Sequence, residues 1–523
     1  MTEITLSNLD IGIIIGYFLF IILIGYYVSK RTDTGEDLFL AGRSLGWAAI
    51  GFSLFASNIS STTLIGLTGQ AYVTGISVSN YEWMATLVLI FMAIFFIPFY
   101  LRSKIDTIPE FLERRFDSRS RKYFSVVTIF LSIIVDTAGG LYAGALVMQV
   151  FFPFLDLWQT IVPLAIFAGL YTAAGGLKAV VYTDVMQAII LLFGSSTIAY
   201  LMFAEFDFSW EAAMASVPDG NMSVIRPLDD PALPWLGTLI GVPVLGFYYW
   251  ATNQYIVQRI LGAKDVKNAR WGAMLGGLLK LPVLFIMVIP GVLAFSIFPG
   301  LPESDMVFPT MVAEILPIGI TGLVLAGLIA AIMSSIDSTL NSASTLITMD
   351  FIKPKNPNLT PKETAKIGRW TTIILMVIAS VWAPMIQYFP GMFQYIQEAF
   401  SYIVPPVVAI FLMGMFWERG NRHAAFITLV SGHLFSLSVF TLSKMGFVNI
   451  HFTISAGILT LLCILIFILV SISGEKPPKE KVEGITWKSR LAEPISDLPW
   501  YKDYRVHSAI LVLLTLALII TFW

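Results

Sequence analysis

Three groups of polar residues interrupt long apolar stretches, and their types suit a small cation and a polar solute. In the first, Ser57-Asn58-Ile59-Ser60-Ser61-Thr62-Thr63 places six polar side chains in seven positions, with Gly66 and Gly69 just beyond. The second is Ser334-Ser335-Ile336-Asp337-Ser338, followed by Asn341, Ser342 and Ser344. Ser334, Asp337, Ser338 and Asn341 recur at helical spacing and share one face. A carboxylate among hydroxyls is a donor set for a hard cation, which prefers oxygen ligands. The third group is scattered: Glu82, Asp136, Asp184, Lys280, Gln397 and Glu398, each next to apolar residues. Near the centre, Phe247-Tyr248-Tyr249-Trp250 offers flat faces for a ring-shaped ligand.

Each feature has a plainer reading. Ser and Thr can return their hydroxyls to the preceding helical turn, so 57–63 is either a helix–helix seam or a helix that unwinds and frees carbonyls for a cation. Pro243 and Gly246 precede the aromatic cluster and invite a second break; the aromatics are either an interfacial belt or a stacking surface. Asp184 stands close to Lys178 and either reaches water or is buried. Glu82 is either an exposed helix end or the buried partner that Lys280, far from any span end, requires. Asp337 is either protonated within a polar seam or part of a cation site. Asp136 has no assignment.

The elements that hold these residues are set by composition. Of 523 residues, 57% are apolar and 13% charged, about half the charged share of a soluble domain. The mean hydropathy is +0.79. Such apolar surface must face lipid. A net charge of −2 gives no reason to expect nucleic-acid binding. One cysteine, Cys463, and four histidines offer neither an intrachain disulfide nor zinc-like spacing. The first apolar run, Ile11 to Val28, precedes Lys30 and Arg31 and reads as a retained span.

Membrane helices need roughly 20 apolar residues. That length predicts 14 spans: 10–28, 46–71, 81–101, 123–151, 158–176, 179–204, 234–258, 271–297, 320–349, 367–386, 390–417, 422–442, 450–473 and 506–523. A short separate helix is expected near 309–316. Lys and Arg should collect in the cytoplasmic loops. Of the 32 Lys and Arg, only Arg226 and Lys444 fall in the alternate loops that begin after the second span. Lys280 alone lies deep in a span, and the remaining 29 sit in the other loops and helix ends. This predicts both termini outside the cytoplasm, an external 205–233 loop and a cytoplasmic linker 475–505. Spans 46–204 and 234–417, each opened by a broken helix, would form the halves of an inverted repeat, with 10–28 before them and 422–523 after.

Ordered motifs then point to a family. They include Phe39-Leu40-Ala41-Gly42-Arg43, Ala56-Ser57-Asn58-Ile59-Ser60, Tyr81-Glu82-Trp83 and Gly175-Gly176-Leu177. Thr183-Asp184-Val185, Tyr249-Trp250, Asn253-Gln254 and Gln258-Arg259 follow, then Ser334-Ser335, Leu340-Asn341-Ser342, Tyr395-Ile396-Gln397 and Pro405-Pro406. From about residue 36 to 523 the chain resembles the solute:sodium symporter family, in particular its sodium/glucose cotransporter branch and the bacterial galactose carriers within it.

The resemblance implies an all-α, LeuT-type five-plus-five inverted repeat that moves a monosaccharide such as glucose or galactose with Na⁺. It implies a sodium site of Ala56, Ile59 and Ala331 carbonyls with Ser334 and Ser335 hydroxyls, Asp184 close by. It implies cargo contacts from Glu82, Lys280 and Gln397, with Tyr249 and Trp250 beneath, and an outer gate of Leu67, Tyr81 and Phe393. Thr63, Ala85 and Gly246 depart from the galactose carriers' polar residues, so the cargo is open: inositol, sialic acid or another polar solute are alternatives. Because Asp337 replaces a hydroxyl of members with a second sodium site, Asp184, Ser334, Asp337 and Ser338 are a candidate second cation site. No organic cofactor is expected; the partners are cargo, sodium and the bilayer of the cell membrane. A sodium- and sugar-gated sensor or channel is the rival of another class, and no motif suggests an enzyme.

Overall fold

In hydrocarbon every backbone polar group must be satisfied within its own segment, which restricts spanning structure to helices and closed barrels. The computed structural model describes residues 6–29, 40–59, 61–152, 154–389, 391–487 and 499–523, and among them there is no strand, only an isolated bridge between Leu45 and Ala263. Ser60, Phe39, Lys30, Arg31 and linker residues 488–498 lie outside the described residues, as do the side chains of Ser61, Thr62 and Lys178 and the surroundings of Gly175 and Gly176. Nine described helices are long and apolar enough to cross a bilayer, and up to eleven if each of two bent pairs is one span. The expected spans missing from that number are 10–28, 158–176 and 234–258. The short helix expected near 309–316 is Val307–Glu314.

The two bent pairs correspond to the expected spans 46–71 and 390–417. Trp47–Asn58 and Thr63–Thr74 meet at 53°, and Met392–Ile403 and Pro405–Phe416 at 54°. The seventh expected span is in pieces: Trp235–Ile240, Val242–Phe247, a π turn Tyr248–Thr252, then Gln254–Leu261. Its break falls at Asn253, with extended backbone at φ −71°, ψ 123°, and not at Pro243 or Gly246. Pro243 sits in the first turn of its short helix, where a missing N–H costs nothing.

The expected loop at 177–178 is corrected: backbone helicity runs unbroken from Leu157 to Ala204, 48 residues. A straight helix of that length would reach about 70 Å. It does not stay straight. Gly144 packs against both Leu164 and Ile332, while Asp184 bonds Ser334. Leu164 and Asp184 are therefore at nearly the same level of one partner helix, although 20 straight residues would part them by about 30 Å. The run therefore bends between them.

Around the centre, the serine-bearing helix Ile320–Leu346 is buried along nearly its whole length. The 157–204 run packs on it, as do the leading helix Asn8–Ser29 and Ala138–Phe151. Asp10 of the leading helix accepts from Gly319 and Gly322 N–H, 2.8 Å each, capping the serine helix from outside. A Cβ on Gly69 would lie 2.3 Å from the Ser304 carbonyl oxygen, so only glycine permits that approach between the broken helix and the segment preceding Val307–Glu314.

Candidate functional site

A helix that stops leaves its last carbonyls without continuing-helix partners. Trp47–Asn58 stops at Ile59, whose N–H still reaches Phe55 O at 2.8 Å. Thr63 Oγ1 donates back to Asn58 O, and the chain resumes as Ser61–Thr74. The rupture therefore exposes carbonyl oxygens around Ala56 and Ile59, both buried.

Across from it stands the serine ridge. Ser335 Oγ donates to Ala331 O at 2.9 Å, and Ser338 Oγ to Ser334 O at 2.7 Å. Asp184, fully buried, ties the two elements together. Its Oδ1 accepts from Ser334. Its Oδ2 accepts from Ser53 at 2.5 Å and lies 3.3 Å from the Ser57 hydroxyl. The Arg259 guanidinium closes the group, 3.2 Å from Asp184 Oδ2, 2.8 Å from Ser53 Oγ and 2.7 Å from Ser338 Oγ. Asp184 thus does not reach water near Lys178. The oxygens expected to share a second cation are divided: Asp184 and Ser338 already share a guanidinium. Asp337 lines a small separate cavity with Ser334, Thr183, Gln187 and Phe18 of the leading helix.

Beside the rupture lies a central cavity. Ser57, Asn58 and Thr63 of the broken helix line it, and Ser335 and Thr339 of the serine ridge meet it from the opposite side. Glu82 and Gln397 supply acceptors and an amide; Tyr249, Trp250 and Phe400 supply aromatic wall. Gly246 lines it too, where a Cβ would meet only Val88 and Met84. Lys280 does not line the cavity. Its Nζ sits 2.6 Å from Glu82 Oε2 and 5.3 Å from the Trp250 ring centre, with both charged side chains buried. Lys280 therefore acts on the cavity by fixing and neutralising Glu82. Glu82 is not an exposed helix end.

Tyr81 and Phe393 line both this cavity and a second pocket shared with Gln70, Thr74, Pro231 and Leu233 of the 205–233 side. Their rings meet edge to face at 5.3 Å and form the partition between the two spaces. Leu67, expected beside them, is fully buried and lines neither. At the other end, the Tyr249 and Tyr255 hydroxyls touch, so Tyr249 is held by the segment just after the Asn253 break.

Sequence reasoning missed Arg259, Thr339, Tyr255 and the cavity position of Asp136. Thr339 had a signal, four residues after Ser335 on the same helical face. Arg259 had only a misleading one, since a basic residue near a span end reads as a cytoplasmic anchor.

Comparison with known proteins identifies the family. The family model described as "Sodium:solute symporter family" matches residues 38–432. The human protein "Sodium/myo-inositol cotransporter 2" is 36% identical over 92% of this chain and 79% of its own length. The zebrafish (Danio rerio) "Sodium/glucose cotransporter 4" is 33% identical over 93% of this chain and 82% of its own length. A solved structure of a Na⁺-coupled sialic acid symporter in a substrate-bound outward-open state superposes with a TM-score of 0.78 at 22% identity, covering 90% of this chain and 99% of that one. This chain belongs to the sodium:solute symporter family, a multi-pass membrane carrier that couples a small polar solute to sodium and is not an enzyme.

Proposed function

We propose that the chain takes up a monosaccharide, or a cyclic polyol of monosaccharide size, together with Na⁺ by alternating access. The observation that carries this reading is the helix ruptured at Ile59 beside a polar, aromatic-walled cavity that Ser335 also lines. Glu82 and Gln397 give both donors and acceptors for a polyhydroxylated ring, and the relatives named for myo-inositol and glucose make such a ring the favoured cargo. Sodium binds carbonyls of Ala56, Ile59 and Ala331 and hydroxyls of Ser334 and Ser335. The fold is read as fourteen spans in a five-plus-five inverted repeat, with the 205–233 side external and both termini outside. Tyr81 and Phe393 are then the outer gate and Tyr249 the inner one.

Coupling follows from where the cation sits. Its ligands belong to different halves, 46–204 and 234–417, so the ion binds well only when the halves are correctly apposed. An ion that bound all states equally would couple nothing. One Na⁺ falling through 100 mV releases about 2.3 kcal/mol. A tenfold gradient adds about 1.4, together enough for several-hundred-fold accumulation.

One sodium per cycle is the reading that the Arg259 contacts favour. A second cation on Asp184, Asp337 and Ser338 would require that guanidinium to leave, and would appear as a Na⁺ Hill slope near two that Asp337→Ala lowers to one. The decisive experiment is uptake of a labelled panel, glucose, galactose, myo-inositol and sialic acid, into proteoliposomes with and without an inward Na⁺ gradient. Gradient-driven accumulation of a neutral ring supports the reading. Sugar-dependent current without accumulation would favour a gated sensor or channel instead.

A further inference from the structure

The helix Met392–Ile403 divides two cavities. Phe393, Gln397 and Phe400 line the central one, whereas Tyr395, Glu398 and Tyr402 line an apolar cavity behind it, as the helical period allows. Phe130 of Ser118–Leu131, with Leu437 and Phe440 of Arg422–Lys444, walls this lateral cavity. Phe130 and Leu437 are exposed, so in a membrane chain the cavity opens onto lipid. The Tyr395 hydroxyl donates to Ile134 O at 2.9 Å, and His433 Nε2 lies 2.9 Å from Ile403 O. These polar groups of the wall are engaged with backbone, and the depth of the cavity suits hydrocarbon. At its mouth Glu398 Oε1 lies 2.7 Å from Lys444 Nζ, with side-chain exposures of 14% and 51%. From His433, deep in the wall, to Lys444 the helix rises about 16 Å. That is close to one leaflet, half of a hydrocarbon core roughly 30 Å thick.

We propose that the lateral cavity holds an acyl chain of a phospholipid whose headgroup carries a primary ammonium, with the phosphate on Lys444 and the ammonium on Glu398. The site is separate from the cargo cavity, and the inference holds whichever solute is carried. Length selects the tail: one acyl chain runs from a charged mouth to about the midplane. Charge selects the head. A lysine alone would call for an anionic lipid, but here a carboxylate accompanies it and the mouth is neutral overall. A headgroup bearing both signs matches that pair. Its phosphate accepts from the Lys444 ammonium, and the ammonium of phosphatidylethanolamine donates to Glu398, both charge-assisted bonds. Choline has no N–H and cannot make the second bond, and a sterol offers neither charge. Exposed ion pairs are weak, so a headgroup that bonds both partners can replace the Glu398–Lys444 contact. The chain would pack against the outer face of the helix whose inner face carries Phe393 and Gln397, supplying contacts that a void lacks.

The test is lipid binding to the purified carrier, stripped of lipid in detergent and read by native mass spectrometry. It is titrated with palmitoyl-oleoyl phosphatidylethanolamine, with the phosphatidylcholine and phosphatidylglycerol of the same chains, and with cholesterol. In the wild type the ethanolamine lipid should bind as a single tight copy, about tenfold or more tighter than the choline lipid. Glu398→Gln should bring the two lipids to within about threefold of each other, and Lys444→Gln should weaken both about tenfold. Ala399→Phe, which fills the cavity from the dividing helix, should abolish the tight copy. Equal affinity of the wild type for the ethanolamine and choline lipids would overturn the proposal even if every variant fails to fold. So would tighter binding of phosphatidylglycerol or cholesterol than of the ethanolamine lipid, or a tight copy that survives Ala399→Phe.

Discussion

Lys280 and Glu82 allow a structural role to be separated from a cargo-binding one. Their charged atoms are 2.6 Å apart, with side-chain exposures of 0% and 7%. Removing one partner of such a pair leaves an uncompensated buried charge, at about 3–5 kcal/mol. Lys280→Met and Glu82→Gln should each lower stability by an amount of that order. The double variant, neutral and similar in volume, should return to within about 1 kcal/mol of wild type, because replacing a whole buried pair is often neutral. Function should not return with it. Glu82 faces the cavity, and a hydrogen bond to its charged group is worth about 1.5–3 kcal/mol. The double variant should therefore keep a KM raised about tenfold to a hundredfold. Thermal unfolding of the four proteins gives the coupling energy, and sodium-driven uptake gives KM. Additive losses in the double variant would refute the pairing argument. A wild-type KM in it would remove Glu82 from the cargo site.

Three further outcomes follow from particular contacts. Gly69→Ala should cost about 1–3 kcal/mol in thermal unfolding, because its Cβ would meet the Ser304 carbonyl at 2.3 Å, whereas Gly12→Ala, with nothing within 4 Å, should change stability little. Arg259→Gln should destabilise by about 3–5 kcal/mol by stranding Asp184, and Asp184→Asn added to it should recover most of the loss in the same assay. Asp305, in the segment ahead of Val307–Glu314, accepts from Met392 N–H at 2.9 Å, and burial, aided by the nearby Glu303 charge, pushes its carboxyl up to about 6. A folded-state value above the unfolded one means that the fold takes up this proton first. Its stability contribution therefore grows as pH falls from about 6 towards 4 and is lost as pH rises through 6. Asp305→Asn, which keeps an acceptor for Met392 without the charge, should stabilise the protein at pH 7.5 by up to about 3 kcal/mol, with a difference that shrinks on acidification. A pH-independent difference would reject the burial argument.

The rupture at Ile59 was readable because six polar side chains in seven cannot all face lipid. The Lys280–Glu82 pair was readable because an ammonium in mid-span needs a partner. The site's remaining details depend on geometry that composition does not record. The π turns at Ser132–Thr137 and Tyr248–Thr252 change the facing of Asp136 and Tyr249 without any residue that advertises it. Pro243 drew attention away from Asn253, since proline disrupts a helix interior but not a first turn. Arg259 was credited to the water–lipid boundary, yet its guanidinium is inside, held by Asp184, Ser53 and Ser338. The loop charges predicted a loop at 177–178 within 157–204, where the structure has continuous helical backbone. That backbone was not legible, because loop charges record the side of the membrane and say nothing of dihedral angles.

The most direct measurement is radioactive sodium binding to the purified carrier, with no cargo present, in the wild type and in Ser335→Ala. Loss of one oxygen ligand to a charged centre is worth about 1.5–3 kcal/mol. The half-saturating Na⁺ concentration should thus rise about tenfold to a hundredfold while thermal stability in sodium-free buffer stays near wild type. An unshifted sodium curve in Ser335→Ala would contradict an ion held between the ruptured helix and the serine ridge.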